Sequence, residues 1–305
     1  MDRIKCERDM TIDISPILAD KTSGSYSYTV KILKRISEFI KNEGAALSPE
    51  ALFEEVHQAG RRLIKAQPNM VLVRRYNNQL ISFYKRTLKS GKNDKELRAA
   101  LVEKIEELLA EMESSLEVIA RSGTKVITNF NKIMTISNST AVRRILEEAI
   151  RQKRKFEVYV AVSMPPGEGT HLAEYLSQRG VKVTVVADSQ IGVVMDEMNL
   201  VLVGADRLYE EGFVNKAGTL PMSLVADQYH VPVYLAAETT KVLRESERTI
   251  KNIGEEGREV YLPENKEINV INYYYEKIPF SAIRKVICEE GVFEVQEFQS
   301  WYLGD

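Results

Sequence analysis

The sequence predicts an α/β protein, with an N-terminal helical domain over residues 1–122 followed by a parallel-sheet domain over residues 123–305. Three observations carry this. Apolar residues recur at helical spacing as far as Ser122-Gly123. Beyond that point short β-rich runs alternate with helical stretches, the pattern of parallel strands joined by crossover helices. The runs are followed by Thr135, Ser163, Asp188, Asp206 and Glu238, polar side chains at the ends of apolar strands, where open α/β sheets bind their ligands.

In the first half, Ser27–Lys41 places Val30, Leu33, Ile36 and Ile40 near one face. Ser48-Pro49-Glu50 reads as an N-cap, a first-turn proline and an early acid, so a helix starts there. Met70–Leu88 and Lys95–Ala120 continue the amphipathic pattern, and their charged faces read as solvated surface. In the second half Lys125–Thr128 and Lys132–Thr135 are β-rich, and a helix follows over 141–151. Strands are expected at 157–163, 181–186, 199–204 and 231–236, with helices over 168–179 and 216–229 between them. Lys251–Lys266, rich in Gly and Glu, reads as an excursion loop.

The composition excludes several classes. The chain has 305 residues, 44% of them hydrophobic and 28% charged, as in ordinary globular proteins. Its net charge of −2 offers no electrostatic case for nonspecific nucleic-acid binding, so no direct nucleic-acid partner is expected. Cys6 and Cys288 cannot build a disulfide framework or a metal cluster, and a reducing, cytoplasmic setting is the expectation. The charged N-terminus lacks a signal-peptide pattern, no apolar stretch is long enough for a membrane span, and no membrane partner is expected. A dinucleotide-type glycine fingerprint is missing, so neither a nicotinamide nor a flavin cofactor is expected, and no other cofactor is implied.

Leu200-Val-Leu-Val-Gly-Ala-Asp206-Arg is the strongest single feature, an apolar strand that ends in Gly-Ala and presents an acid. Asn215-Lys216-Ala217-Gly218-Thr219 follows, offering an amide, a cation, a hydroxyl and a helix start suited to an anionic ligand such as a phosphate. Asp206 reads as a turn acid or as a ligand-facing acid, and its place in the motif favours the second. Ser137 and Ser139 read equally as caps of the following helix or as ligand contacts. Lys216 is a solvated lysine or a pocket cation, Asp188 a turn or pocket support. Cys288 in an apolar run reads as a buried small hydrophobe, and Cys6 lies in an end that reads as flexible. Tyr273-Tyr274-Tyr275 reads as a subunit anchor or as loop packing.

The chain resembles the α/β/δ-type subunits of translation initiation factor 2B, a family related to the archaeal ribose-1,5-bisphosphate isomerases and the methylthioribose-1-phosphate isomerases. Gly204-Ala-Asp-Arg207, Asn215-Lys-Ala-Gly-Thr219 and Asp188-Ser189 carry the resemblance in the second half. Ser15–Gly24 and Ala66-Gln-Pro-Asn69 carry it in the first. It implies a helical domain followed by a Rossmann-like domain, a homodimer or larger assembly, initiation factor 2 subunits as partners, nucleotide sensitivity as a further reading, and a small phosphorylated ligand. The family's enzymes interconvert aldose and ketose phosphates with a cysteine and the Gly-Ala-Asp aspartate. Their Thr-His-Cys-Asn-Ser segment reads Thr135-Ile136-Ser137-Asn138-Ser139 here, so an alcohol stands where the thiol is expected. A thiol near pKa 8.5 can be tuned to trade protons near neutrality, whereas an alcohol needs a strong neighbouring base. Met164 stands in place of an arginine, as do Gln67 and the Thr22–Ser25 stretch, and the cations left for a phosphate are Lys216 and Lys241.

The implied site is therefore Asp206 with Ser137 as the chemical pair, and Asn215, Lys216, Gly24, Ser139, Ser163 and Lys241 as ligand contacts, with no metal. The reading this supports is an archaeal initiation factor 2B-like binding protein with a degenerate sugar-phosphate isomerase site. The alternative is a working aldose–ketose isomerase.

Overall fold

The computed structural model describes residues 11–243 and 254–303. Cys6 and residues 251–253 of the expected excursion loop lie outside the described residues. The chain divides into two compact units, Met1–Ser114 and Ser115–Asp305, with the division inside one long helix.

The first unit is helical. It contains α1 (Ser15–Leu18), α2 (Ser25–Lys41), α3 (Pro49–Ala66), α4 (Val71–Leu88) and the first part of α5 (Asp94–Gly123). Ser48 caps α3 as its sequence requires, its hydroxyl accepting from the Ala51 N–H at 3.2 Å. The core is built from one stripe of each helix: Leu33, Ile36 and Phe39 from α2, Leu52, Val56 and Leu63 from α3, Tyr76 and Leu80 from α4, and Leu101, Ile105 and Leu108 from α5 are all buried.

The second unit is an α/β sandwich. Its strands are β1 (Asn131–Ile136), β2 (Phe156–Ala161), β3 (Lys182–Val186), β4 (Leu200–Gly204), β5 (Arg207–Tyr209), β6 (Gly212–Lys216), β7 (Val233–Ala236), β8 (Tyr275–Pro279), β9 (Lys285–Cys288) and β10 (Gly291–Glu294). The helices between and after them are α6 (Thr140–Arg151), α7 (Gly169–Ser177), α8 (Ile191–Val194), α9 (Thr219–Gln228) and α10 (Val295–Leu303). Seven strands form one sheet in the order β10-β9-β7-β4-β1-β2-β3. All its pairs are parallel except β9 with β10, which form an antiparallel edge hairpin. The chain runs outward from β1 through β2 to β3, then returns to β4 on the other side of β1. The order therefore reverses between β1 and β4, which makes a crevice at their carboxyl ends. β4 is buried along its whole length, as a central parallel strand must be.

Three features differ from the sequence reading. Lys125–Thr128 is no strand; Thr124–Val126 is a short 3-10 turn, because the Thr124 hydroxyl bonds back to the Ala120 carbonyl at 2.7 Å and the turn continues α5. Asn215 and Lys216 lie on β6, not at a helix start, and α9 begins only at Thr219, after Gly218 has taken φ +103°. A second, three-stranded antiparallel sheet, β5-β6-β8, accounts for this, since β8 comes from far along the chain and holds β6 extended. Among the described residues no helix is long and apolar enough to cross a membrane, and no three His, Cys, Asp or Glu converge as metal ligands.

Candidate functional site

β1, β2, β3, β4 and β7 all end at the same edge, so Ser137, Ser163, Asp188, Asp206 and Glu238 gather there. Two of these side chains follow backbone turns in the left-handed region, Ser137 at φ +68° and Ser163 at φ +70°. Non-glycine residues hold such angles only where surrounding bonds fix them. The Ser163 N–H donates to Asp188 Oδ1 at 2.8 Å and the Met164 N–H to Asp188 Oδ2 at 2.8 Å. The Ser137 N–H donates to Ser163 Oγ at 2.7 Å. Ser137 Oγ donates to Glu168 Oε1 at 2.9 Å, and that same oxygen lies 3.3 Å from Lys216 Nζ. A continuous polar chain thus runs from the end of β3 through β2 and β1 to a buried ion pair on β6.

Glu168 and Lys216 are 7% and 3% exposed, so neither charge is solvated. Burial pushes the Glu168 carboxyl up from its ordinary value, against the pull of the Lys216 ammonium and its hydrogen bonds. Burial pushes Lys216 down, opposed by Glu168 first and by Asp188 and Glu259. The Lys216 ammonium also bonds the Pro165 carbonyl and sits 4.8 Å over the Tyr274 ring. Tyr274 is held in place by its hydroxyl bond to Glu259. Of the tyrosine cluster, Tyr274 is therefore packed over the site, while Tyr273 stays 46% exposed.

The remaining expected residues separate. Asp206 is half-buried just past β4, and its N–H donates to the Val214 carbonyl at 2.8 Å, which turns the chain into β5. Ser139 caps α6, accepting from the Val142 N–H at 3.5 Å. Its hydroxyl also packs on β4: a Cβ at Gly204 would lie 2.3 Å from Ser139 Oγ, so glycine is required at this crossing point. Asn215 is buried and ties Thr219, its Nδ2 donating to the Thr219 hydroxyl at 2.9 Å. Lys241 is buried beside Glu238, 2.7 Å away. Gly24 belongs to the first unit, where it is the N-cap residue of α2. Met164 is 57% exposed. Cys288 is wholly buried on β9, and burial pushes its thiol up to about 11, the behaviour of a packed hydrophobe.

Sequence reasoning missed two acids that govern this edge. Glu168 is one. Glu276 is the other: its Oε1 accepts from both the Gly218 and Leu220 N–H groups at 2.8 Å. A carboxylate of the chain itself thus fills the start of α9, where an anionic ligand was expected. The only signal for Glu168 is its place in the Pro-Pro-Gly-Glu-Gly turn after β2, and spacing cannot reveal that Lys216 comes to meet it. Among the described residues the edge presents hydroxyls and carboxylates, and Lys216 and Lys241 are each matched by an acid.

Comparison with known proteins agrees with the fold. A profile of the Initiation factor 2 subunit family matches residues 21–295. A putative translation initiation factor eIF-2B subunit 2-like protein of Pyrococcus furiosus is 32% identical over 250 residues, 81% of this chain and 83% of that protein. The ribose 1,5-bisphosphate isomerase of Methanocaldococcus jannaschii is 27% identical over 267 residues, 84% of this chain and 82% of that one. The crystal structure of 5-methylthioribose 1-phosphate isomerase from Pyrococcus horikoshii superposes with a TM-score of 0.78 over 98% of this chain and 88% of that chain, at 17% identity, a likeness of fold.

Proposed function

Because this chain belongs to the Initiation factor 2 subunit family, we propose that it is a binding and regulatory protein of the eIF-2B type whose sugar-phosphate isomerase site has lost its chemistry. The observation that carries this reading is the self-neutralisation of the crevice. Lys216 faces Glu168 at 3.3 Å, Lys241 faces Glu238 at 2.7 Å, and the start of α9 holds Glu276. A sugar bisphosphate needs several cations and open amide donors, and here those groups are engaged by the chain's own carboxylates. Ser137 stands where the related enzymes place a thiol, and Met164 where they place an arginine. A phosphorylated ligand would bind at this edge weakly or not at all, and the protein would act through partners, with initiation factor 2 subunits the family's candidates.

Assembly into a homodimer or larger oligomer belongs to the same proposal. The consecutive Val260, Tyr261 and Leu262 are 53%, 52% and 75% exposed, and Ile271 further along the same segment is 69% exposed, apolar side chains that burial against another subunit would cover. Light scattering after size exclusion tests this, and a monomer at micromolar concentration would refute it.

One observation favours the isomerase reading. Ser137 Oγ donates to a carboxylate that burial has made more basic, so the alcohol does have a neighbouring base. Aldose–ketose isomerisation moves a proton between adjacent carbons, and Asp206, just past β4, together with the Ser137–Glu168 pair, just past the neighbouring β1, would supply two candidate groups for it. Incubation with ribose 1,5-bisphosphate and related aldose phosphates decides between the readings. No ketose above background is expected. Turnover that vanishes in Asp206→Asn would replace the binding reading with the enzymatic one.

A further inference from the structure

The opposite edge of the large sheet carries a groove with the reverse electrostatics. β1, β2 and β3 are adjacent and parallel, so the loops that enter them lie side by side at the amino edge. These loops bring together Phe130, Lys153–Lys155 and Arg179–Val181 around a groove of about 440 Å³. Six cations line it, Lys132, Lys153, Arg154, Lys155, Arg179 and Lys182, against one carboxylate, Glu157. Some of these are engaged. Lys182 pairs with Glu157 at 2.9 Å, Lys132 with Glu197 at 2.5 Å, and Arg154 donates to the Thr124 and Ile127 carbonyls. Lys153, Lys155 and Arg179 are exposed and have no ion pair among the described residues. Arg179 is positioned by Tyr175, its guanidinium 3.5 Å from the centre of the ring and its Nη1 donating to the Tyr175 carbonyl at 3.0 Å, which leaves its other N–H groups to meet a ligand.

Phe130 is the second observation. Its ring is 79% exposed, the most exposed of the large apolar side chains described. Its backbone is fixed nonetheless, at φ +68° and with its N–H donating to the Lys155 carbonyl at 2.5 Å. The loop therefore presents an exposed aromatic face beside Lys153, Lys155 and Arg179, which have no carboxylate partner among the described residues. An acidic peptide would need the cations and leave the ring without a role. A single-stranded nucleic acid uses both, because each base can stack on an aromatic face while cations track the phosphates.

We propose that this amino-edge groove binds single-stranded RNA, with a base stacked on Phe130 and successive phosphates on Lys153, Lys155 and Arg179. The overall charge of −2 conceals the site, because the acids that balance these cations lie elsewhere in the fold.

Fluorescence anisotropy of the full chain with a labelled twelve-nucleotide single-stranded RNA tests this. Three neutralised phosphates at about 0.7 each predict that log Kd rises with log salt with a slope of about 2. Lys153→Ala with Lys155→Ala should reduce the slope to about 0.7. Phe130→Ala should weaken binding by roughly ten-fold with the slope unchanged, since stacking carries no charge. All three side chains are exposed, and matched thermal melts of the variants establish that they fold. The proposal is overturned by unchanged affinity in Phe130→Ala, by the absence of binding at low salt, by equal competition from a glutamate peptide of the same length, or by competition from free AMP at equal nucleotide concentration. The glutamate result would point to an acidic protein segment, and the AMP result to a mononucleotide pocket.

Discussion

At the carboxyl edge of the large sheet, Lys216 and Lys241 lie buried within 3.3 and 2.7 Å of a glutamate, whereas at the amino edge Lys153, Lys155 and Arg179 are exposed and have no carboxylate partner among the described residues. The difference follows from burial. An ammonium taken out of water costs several kcal/mol unless a counter-charge and hydrogen bonds replace its hydration, so the carboxyl-edge lysines must be paired. An exposed lysine keeps its water and needs no partner. The same residue type is thus a buried structural element at one end of the strands and a solvent-exposed charge at the other. The edge whose motif resembles a phosphate site is the edge that has filled its own anion positions.

The largest test of this contrast is Lys216→Met. It leaves Glu168 buried and without its cation, and a loss of about 3–5 kcal/mol at pH 7 is expected in denaturant melts. The loss has a defined pH dependence. Glu168 already titrates above the ordinary carboxylate range, and removing the ammonium raises it further. A carboxyl whose folded pKa is raised binds its proton more tightly in the folded state, so its contribution to stability falls as pH rises through that window. The variant should therefore approach the wild type as the pH is lowered toward ~4. A loss that is the same at all pH values would mean that Lys216 acts by packing alone. Replacing both partners with apolar residues of similar volume should restore most of the stability, as buried pairs elsewhere do.

A smaller effect is expected from Gly204→Ala, where the new methyl would meet Ser139 Oγ at 2.3 Å and Ser139 Cβ at 2.7 Å. Overpacking at this point should cost about 1–3 kcal/mol, and Ser139→Gly in the same chain should recover part of it. Full stability in Gly204→Ala would show that β4 and the start of α6 can separate. Smaller still is Lys153→Ala with Lys155→Ala, expected within about 0.5 kcal/mol of the wild type because both side chains are exposed and unpaired. A larger loss would mean that the amino-edge cations also serve the fold. Cys288 should show no effect at all: buried, with its thiol pushed up to about 11, it should resist alkylation at pH 8 until the chain unfolds, as peptide mapping would report.

Much of this architecture was legible in the sequence. The apolar run Leu200–Val203 reads as a central parallel strand, and Ser163, Asp188, Asp206 and Glu238 are legible at one edge because each follows such a run; for the first strand the sequence points to Thr135, which lies buried within β1, and it is Ser137 that reaches the edge. Ser48 and Ser139 were recognisable as caps, since capping depends on residues within one turn. The pairing of Lys216 with Glu168 was not legible, nor was the capture of the Gly218 and Leu220 amides by Glu276, because these partners come from separate strands and turns. The strand at Asn215-Lys216 was read as a helix start for the same reason: β8, which holds it extended, lies far along the chain.

The sequence by itself determined the helical first half, the order of strands and helices in the second, and the polar character of the strand ends. These are local matters of period, capping and turn chemistry, each decided within a few residues. Only the tertiary structure decided which charges are spent and which remain open. That depends on how far each side chain is removed from water and on what a distant segment brings beside it. It buried Lys216 against Glu168 at one edge, and at the other it gathered Phe130, Lys153, Lys155 and Arg179 from three loops into one exposed groove.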